Sequence, residues 1–285
     1  MRRCHIVRNR KEQSVAAQLV CLTAVVVCLL LSACAGSADR PTPDAARRFL
    51  KLRGYDFNEE GFFKAAENGD AMAVDGFVSA GINVNAKDQN GDTALTATAA
   101  RGDAKIVDLL LRGGADVNAK GRNGWTALLL ALQDEHDEAT DILLNQPALD
   151  VKALTPEGMT SLMLAVWHQK DRFVRTLVQR GSELNHQDKD GDTAVHGAAL
   201  YGNVGILGAL LDAGANPNMK NKLGGTALMW AAAYGHDDVL RLLLSRGADP
   251  KLRDVDGVTA AGWAAKNGQA NAEMILRAGE KSSQQ

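Results

Sequence analysis

The feature that most constrains this chain is a short motif that returns six times at a nearly fixed interval. The pattern Gly-x-Thr-Ala-Leu, or a close variant of it, begins at glycines that are separated by 33, 34, 33, 33 and 33 residues. These glycines are Gly91, Gly124, Gly158, Gly191, Gly224 and Gly257. A second motif runs in phase with the first, as in "GADVNAK" from Gly114 and "GANPNMK" from Gly214. Two motifs that stay in phase over six periods predict an array of stacked repeats instead of one closed core.

Within one period, residues 87–119, the residue types predict a pair of helices. Gly91 suits the positive φ of a tight turn, and the Thr93 hydroxyl is placed to cap a first helix. The apolar spacing from Ile106 to Leu110 predicts a second helix with one buried stripe. Gly113-Gly114 then supplies the left-handed residue with which such a helix ends.

These residues resemble the ankyrin repeat, and the match covers roughly Phe57 to Gly279. The resemblance implies an all-α repeat solenoid in which ankyrin-type helix pairs are joined by β-hairpin-like loops. The predicted units are an N-terminal capping repeat at 57–86, six repeats at 87–119, 120–153, 154–186, 187–219, 220–252 and 253–279, and a polar tail at 280–285. A short helical segment at 45–56, with Asp44 as its candidate cap, is predicted before them.

Several positions depart from the family pattern. Its Thr-Pro-Leu-His becomes Thr-Ala-Leu-x in most repeats, and only His196 keeps the histidine. The glycine between the two helices is replaced by Glu135 in the second repeat and by Gln169 in the third. The second repeat also carries one extra residue near Pro147. We therefore expect the middle of the array to be locally irregular.

The first 34 residues contain the four cysteines of the chain, Cys4, Cys21, Cys28 and Cys34. Leu19 to Leu31 is an apolar run of 13 residues, which is short for a bilayer-spanning helix of about 20 residues and suits a signal peptide. Leu31-Ser32-Ala33-Cys34 resembles the bacterial lipobox, whose cysteine is acylated. The prediction is a signal peptide at 1–33, lipidation of Cys34 and a tether at 34–44. An ordinary signal peptide with an incidental cysteine is the alternative.

The lipobox resemblance also implies a location. Ala35 stands where the inner-membrane retention signal has Asp, so we expect the periplasmic face of an outer membrane, or the cell membrane where no outer membrane exists. Residues 1–33 hold five of the 32 basic and one of the 34 acidic residues, which leaves the remainder with a net charge of −6. A mildly acidic body argues against nonspecific binding of nucleic acid, which needs basic side chains.

The sequence carries no recognised catalytic, cofactor or metal motif, and we predict none of these functions. The stretch "QDKDGD" from Gln187 resembles part of a calcium loop through Asp188 and Asp190. The twelfth position of such a loop would be Gly197, where a bidentate Glu is needed. A hairpin tip explains the same residues, and that reading is favoured.

The ankyrin resemblance implies that partners bind a concave face made of the hairpin tips and the exposed ends of the first helices. The predicted partner-binding residues are Trp125, Met159, Trp167, His168, Tyr201 and Tyr234. Large aromatic side chains are favoured at binding hot spots. The alternative is that these rings pack on one another and only stabilise the fold. Trp230 and Trp263 lie one helical turn earlier and are expected in the core between repeats.

The favoured function is a membrane-anchored protein that mediates protein–protein interaction in the bacterial cell envelope. Its partner would be an unidentified envelope or periplasmic protein, and its contact with the membrane would be the N-terminal lipid. Three alternatives stay open: an immunity-like or protective inhibitor of an exported enzyme, a passive envelope spacer, and an enzyme whose site is assembled across repeats.

Overall fold

The computed structural model describes residues 41–282, and within this range fifteen α-helices follow one another. The predicted signal peptide, Cys34 and the tether as far as residue 40 lie outside the described residues, as do residues 283–285. The helices alternate between an inner and an outer layer, and each inner helix is followed by its outer partner.

The inner helices are short because each begins at a fixed cap and ends at a tight turn. They are α2 (Glu59–Glu67), α4 (Ala94–Ala100), α6 (Ala127–Gln133), α8 (Ser161–Trp167), α10 (Ala194–Leu200), α12 (Ala227–Tyr234) and α14 (Ala260–Lys266). The hydroxyl of Thr93 accepts a hydrogen bond from the Thr96 N–H at 3.2 Å, which confirms the predicted cap. Thr160 caps α8 in the same way, with the Met163 N–H at 3.2 Å. A threonine stands at the start of the six inner helices from α4 to α14, and Asn58 takes this place in α2.

The outer helices carry the apolar stripe that the sequence predicts. They are α1 (Pro43–Leu52), α3 (Ala71–Ser79), α5 (Ala104–Arg112), α7 (Asp137–Leu144), α9 (Asp171–Gln179), α11 (Val204–Asp212), α13 (Asp237–Ser245) and α15 (Ala270–Ser282). In α5 the buried residues are Ile106, Val107 and Leu110. After that helix the chain turns at Gly114, whose φ is 89°.

Stacking joins these pairs into one continuous core. Each inner helix from α4 onward packs on the inner helices of the neighbouring repeats, and small buried residues such as Ala99, Ala131 and Ala232 let the helices approach closely. The loops between repeats turn back as short hairpins, with single antiparallel bridges at Lys87–Thr93, Lys120–Thr126 and Leu154–Thr160. The predicted all-α repeat solenoid with hairpin-like loops is confirmed.

The N-terminal segment differs from its prediction. The helix begins at Pro43 with Thr42 as its cap, not at Asp44, because the Thr42 hydroxyl accepts the Ala45 N–H and proline fits the first helical position. This helix, α1, buries Phe49 and Leu50 against α3. It is the outer helix of a half-repeat, so the array starts before the capping repeat that the sequence predicts at 57–86.

The C-terminal end also differs in detail. Helix α15 continues to Ser282, three residues beyond the predicted end of the last repeat at 279. The predicted polar tail at 280–285 therefore begins as helix. The Glu273 carboxylate accepts a hydrogen bond from Arg277 at 2.8 Å, one helical turn later, which supports this last helix.

The middle of the array is irregular, as the sequence predicts. Within the described range, three residues other than glycine have positive φ: Asn123 at 59°, Glu135 at 58° and Gln169 at 54°. Glu135 and Gln169 stand where other repeats have glycine, and a left-handed conformation costs such residues about 1 kcal/mol. All three lie in the second and third repeats.

Among residues 41–282, no helix is both long enough and apolar enough to cross a bilayer.

Candidate functional site

Two adjoining grooves lie on one surface of the last four repeats. They are formed by the inner helices α8, α10, α12 and α14 together with the hairpin tips that precede them, and they meet at Trp230. We call this surface the groove face. The surface is continuous because residues at equivalent positions of successive inner helices lie side by side in the stack.

The first groove spans the third to the fifth repeat and has a volume of about 180 Å³. Its apolar lining includes Met159, Met163, Trp167, Leu200 and Trp230. Its charged lining consists of the two hairpin carboxylates, Asp188 and Asp192.

The second groove spans the fifth and sixth repeats and has a volume of about 230 Å³. Its apolar lining includes Leu223, Met229, Trp230, Tyr234 and Trp263. The charged side chain in its lining is Asp254. Both grooves therefore combine large apolar side chains with a carboxylate.

The aromatic rings along the groove face contact one another while keeping one side open. Trp167 and Tyr201 meet edge to face, with ring centroids 5.5 Å apart. Trp230 and Tyr234 are stacked at 6.4 Å, and Tyr234 is also stacked on His236 at 6.1 Å. In spite of these contacts Trp167 is 50% exposed and Tyr234 is 54% exposed. The rings therefore hold each other in position and still offer surface to a ligand.

The sequence position of Trp230 and Trp263 predicts the core between repeats, and the structure packs both rings against that core without burying them fully. Both are only partly buried and line the second groove. The close approach of the inner helices explains this, because α12 gives its core side to Ala227, Leu228 and Ala231. An indole does not fit between helices packed through alanine, so each ring packs against the edge of the core and is only partly buried. The indole N–H of Trp263 donates to the Asp254 carboxylate at 2.8 Å.

The six residues predicted to bind a partner fall into two groups. Met159, Trp167 and Tyr234 line the grooves, and Tyr201 adjoins them through its contact with Trp167. Partial burial raises the pKa of the Tyr201 hydroxyl, which keeps it neutral.

The other two predicted residues, Trp125 and His168, line neither groove. Trp125 is half-buried against the core of the second repeat. The His168 ring is turned towards that repeat, with Nδ1 3.4 Å from a carboxylate oxygen of Glu135. The structure therefore brings four of the six residues together on the groove face.

Backbone hydrogen bonds join the hairpin tips of the same four repeats. The backbone N–H of Lys189 donates to the Glu157 carbonyl at 3.0 Å. In the same way the Lys222 N–H donates to the Asp190 carbonyl at 2.9 Å, and the Val255 N–H donates to the Leu223 carbonyl at 3.0 Å. Each tip is thus fixed to the one before it. The bonds hold the rim of the grooves at a set spacing.

His196 anchors the floor of the first groove. Its Nδ1 accepts the Thr193 N–H at 3.1 Å, and its Nε2 lies 3.2 Å from the Gly225 carbonyl of the next repeat, so the ring is neutral with the proton on Nε2. Burial lowers the pKa of His196 and outweighs the opposite effect of Asp192 and Asp188. The side chain fixes the fifth repeat against the fourth.

The carboxylates of the groove face accept hydrogen bonds from neighbouring N–H groups. Burial works to raise the pKa of Asp254, but the N–H groups of Val258, Trp263 and Asp256 together with the charge of Lys266 lower it below its usual value. Asp188 Oδ1 accepts the N–H groups of Asp190 and Asp192, both at 2.9 Å.

The part of the chain that the structure describes contains no group of three or more His, Cys, Asp or Glu side chains placed to hold a metal ion. Asp188 and Asp190, which resemble part of a calcium loop in sequence, sit in a hairpin tip.

A family model described as "Ankyrin repeats (3 copies)" matches the chain over five overlapping stretches, 30–121, 62–154, 97–188, 162–254 and 195–285. A comparison with curated protein sequences finds no match.

Two solved structures are similar to the chain. The ankyrin repeat domain of Bcl-3, described as a unique member of the IκB protein family, is 27% identical over 76% of this chain and 97% of that one, with a TM-score of 0.66. An ankyrin repeat domain from Acinetobacter baumannii AYE is 29% identical over 65% of this chain and 96% of that one, with a TM-score of 0.60.

Proposed function

Because this chain belongs to the ankyrin-repeat family, whose repeats bind protein partners in general, we propose that it binds another protein through its groove face. The family fold is typically an interaction scaffold and not a catalytic one.

One observation carries the choice of surface. Trp167 and Tyr234 are about half exposed on the same face, beside two grooves that can each receive a side chain. Burying such rings against a partner removes a large apolar area from water, and Trp and Tyr are enriched among the residues that dominate binding energy. A fold that needed these rings only for stability would gain more by covering them.

The first test compares capture of partners by the wild type and by two variants. Native membranes would be crosslinked, and the proteins held by the full chain identified. The groove variant is Trp167→Ala/Tyr234→Ala, and the matched control is Trp125→Ala, an aromatic residue of the same array outside the grooves. Circular dichroism and thermal unfolding would show that all three proteins are folded.

We expect the wild type and Trp125→Ala to capture the same protein and the groove variant to lose it, with an affinity loss of about 2 kcal/mol or more. Equal capture by all three proteins would contradict the groove face as the binding surface and favour the spacer alternative. If the captured protein is an exported enzyme whose activity falls on mixing, the partner belongs to the inhibitor alternative.

We also propose that the chain is exported and anchored through acylated Cys34, on the periplasmic face of an outer membrane where there is one. The support is the sequence Leu31-Ser32-Ala33-Cys34 after an apolar run of signal-peptide length. Each buried acyl methylene adds about 0.8 kcal/mol of membrane affinity, so an acylated chain would be held at the bilayer.

A Cys34→Ala variant tests this anchor. The wild type should incorporate a labelled fatty acid and sediment with membranes, whereas the variant should do neither while its repeats remain folded. Equal labelling of the two proteins would contradict acylation at Cys34. A wild type that is unlabelled and released in a shortened form would indicate an ordinary signal peptide.

A further inference from the structure

The charged lining of the two grooves has a single sign. Of the residues that line them, Asp188, Asp192 and Asp254 carry charge, and buried His196 is held neutral. Aromatic and aliphatic side chains surround these carboxylates, so the lining is mostly apolar and carries a few negative charges. Such a lining discriminates between ligands by their charge.

Within residues 41–279, whose side chains the structure describes, the three carboxylates make no ion pair. Their partners are neutral donors: the Asn221 amide for Asp192 at 3.0 Å, the Trp263 indole for Asp254, and backbone N–H groups for Asp188. Lys266 is close enough to Asp254 to lower its pKa but forms no ion pair with it, so none of the three charges is cancelled by a direct contact. A cation brought by a ligand would meet ionised oxygens that are already fixed in place.

The rings of the same grooves favour the same kind of ligand. An Arg or Lys head group is attracted to the face of a Trp or Tyr ring, and the aliphatic part of its side chain packs on apolar surface. Lys266 already makes such a contact within the chain, with its Nζ 5.5 Å from the centre of the Trp263 ring. Trp167, Trp230 and Tyr234 offer the corresponding surface to a ligand.

We propose that the segment of the partner that enters these grooves carries an arginine or lysine side chain next to a bulky apolar side chain. This inference rests on the proposed function and adds the chemistry of the partner to it. The apolar side chain would enter beside Trp230, and the cation would reach Asp188 and Asp192 in the first groove or Asp254 in the second. A neutral or acidic segment would take water away from these carboxylates without supplying a positive charge in exchange.

Selection from a library of random short peptides tests the inference without knowledge of the natural partner. The full chain in lipid nanodiscs would be the target, and peptides that also bind a Trp167→Ala/Trp230→Ala variant would be discarded. The best peptide would then be measured against Asp188→Asn/Asp192→Asn and Asp254→Asn variants. A matched control is Asp88→Asn/Asp92→Asn, since Asp88 accepts the same two tip N–H groups in the first repeat but lines neither groove.

The expected peptides carry Arg or Lys beside a large apolar residue and few acidic residues. We expect at least one of the two groove Asp→Asn variants to bind the best peptide about tenfold more weakly and the Asp88→Asn/Asp92→Asn control to bind it as the wild type does. Replacing the peptide's Arg by Glu should weaken binding to the wild type by more than tenfold.

Three outcomes overturn the inference, and the third is distinguishable from the first two. Groove-dependent peptides without a cation, or equal binding by all the Asp→Asn variants, would contradict the charge preference while leaving the groove face as a binding surface. If no peptide depends on Trp167 and Trp230, the proposed function fails and the inference fails with it.

Discussion

Two junctions of the array, which share one fold, are held together by different chemistry. The bonded junction joins the fourth and fifth repeats, 187–219 and 220–252, mainly through hydrogen bonds to the backbone. The polar junction joins the second and third repeats, 120–153 and 154–186, mainly through charged side chains. The comparison shows how the helix stack tolerates loss of its usual hydrogen bonds.

At the bonded junction, single side chains connect the two repeats repeatedly. Asn218 accepts the Asp249 N–H at 2.8 Å and donates to the Gly247 carbonyl at 2.9 Å. His236 reaches the Leu200 carbonyl at 3.0 Å. Each contact satisfies a loop or helix-end group that has no partner in its own repeat.

At the polar junction these contacts have no counterpart. Lys152 stands at the position of Asn218, and Lys170 stands at the position of His236. Pro156 stands at the position of Lys222, the tip residue whose N–H donates to Asp190 of the preceding repeat. Proline has no N–H to donate. A cleft of about 270 Å³, lined in part by Lys152 and Leu154, opens between the two hairpins.

Charged side chains replace the missing bonds. Lys170 lies 3.2 Å from Glu135 and 3.0 Å from Asp137, and Arg172 lies 3.0 Å from Asp141. These ion pairs raise the pKa of Lys170, and the hydrogen bond that Lys170 donates to Asp137 makes the largest contribution.

The end of α7 in the second repeat is tied to the third repeat by Arg180. Its guanidinium donates to the carbonyls of Leu144 at 2.6 Å and Gln146 at 2.8 Å, close to the extra residue of the second repeat. The groove face lies wholly on the C-terminal side of this junction, beginning at Met159.

The largest expected effect concerns the glycine that lies under the histidine of the bonded junction. A Cβ on Gly202 would lie 2.7 Å from Nδ1 of His236, and φ there is 71°. Gly202→Ala should therefore lower the free energy of unfolding by about 2 kcal/mol or more. Gln169→Ala, at the equivalent position of the third repeat, should change it by less than about 0.5 kcal/mol. Urea unfolding measures both changes in the free energy of unfolding. Similar changes for the two variants would contradict the claim that Gly202, unlike Gln169, is packed tightly under a histidine ring.

The next effect concerns the ion pairs of the polar junction. Asp137→Asn removes a partner of both Lys170 and Arg172, and these charges are partly exposed, so we expect a loss of about 1 kcal/mol at low salt. The loss should shrink at high salt because the ions screen the pair. The control, Asp108→Asn, breaks an exposed pair with Arg112 within one helix and should cost about 0.3 kcal/mol. A salt-independent loss at Asp137 would show that packing, not charge, holds this junction.

A smaller effect should follow from transferring one bond from the bonded to the polar junction. The Lys152 loop has the same local hydrogen bond as the Asn218 loop, to Asp150 in one case and Asn216 in the other, both at 2.9 Å. Lys152→Asn should therefore gain contacts to the third repeat and raise the free energy of unfolding by about 0.5–1 kcal/mol. Lys152→Ala is the control and should be neutral in urea unfolding. If Lys152→Asn is no more stable than Lys152→Ala, the Lys152 loop is not placed against its next repeat as the Asn218 loop is.

The smallest effect is the pH dependence that buried His196 gives to the bonded junction. Its pKa is lowered in the folded chain, so below its ordinary value of about 6.5 the unfolded chain binds the extra proton. Its stabilising contribution is complete above that pH and declines as the pH falls. Thermal unfolding between about pH 5 and pH 7.5 should show a steeper decline for the wild type than for His196→Gln. Parallel curves for the two proteins would contradict a contribution of His196 to the pH dependence of stability.

Features that repeat locally could be predicted from the sequence. The Thr93 cap and the Ile106–Leu110 stripe depend on neighbours within one helical turn, and the 33-residue spacing fixes how the units stack. The same spacing placed Trp167 and Tyr201 on one face, where their rings meet.

Features that depend on contacts between elements were missed. The half-repeat at α1 has no inner helix to complete the motif, although "FLKLRGYDFN" from Phe49 aligns with "LLLRGGADVN" from Leu109 and could have revealed it. The partial exposure of Trp230 depends on how closely alanine lets the inner helices approach. The turn of His168 towards Glu135 depends on the unusual backbone of Glu135.

Hydrogen–deuterium exchange of the full chain, with and without the captured partner or the selected peptide, tests most directly whether the groove face is the binding surface. We expect slower exchange on binding in the hairpin tips and inner helices from Met159 to Trp263, and no change from Lys87 to Gln133 on the other side of the polar junction. Protection centred on the first two repeats, with none around Trp230, would contradict binding at the groove face.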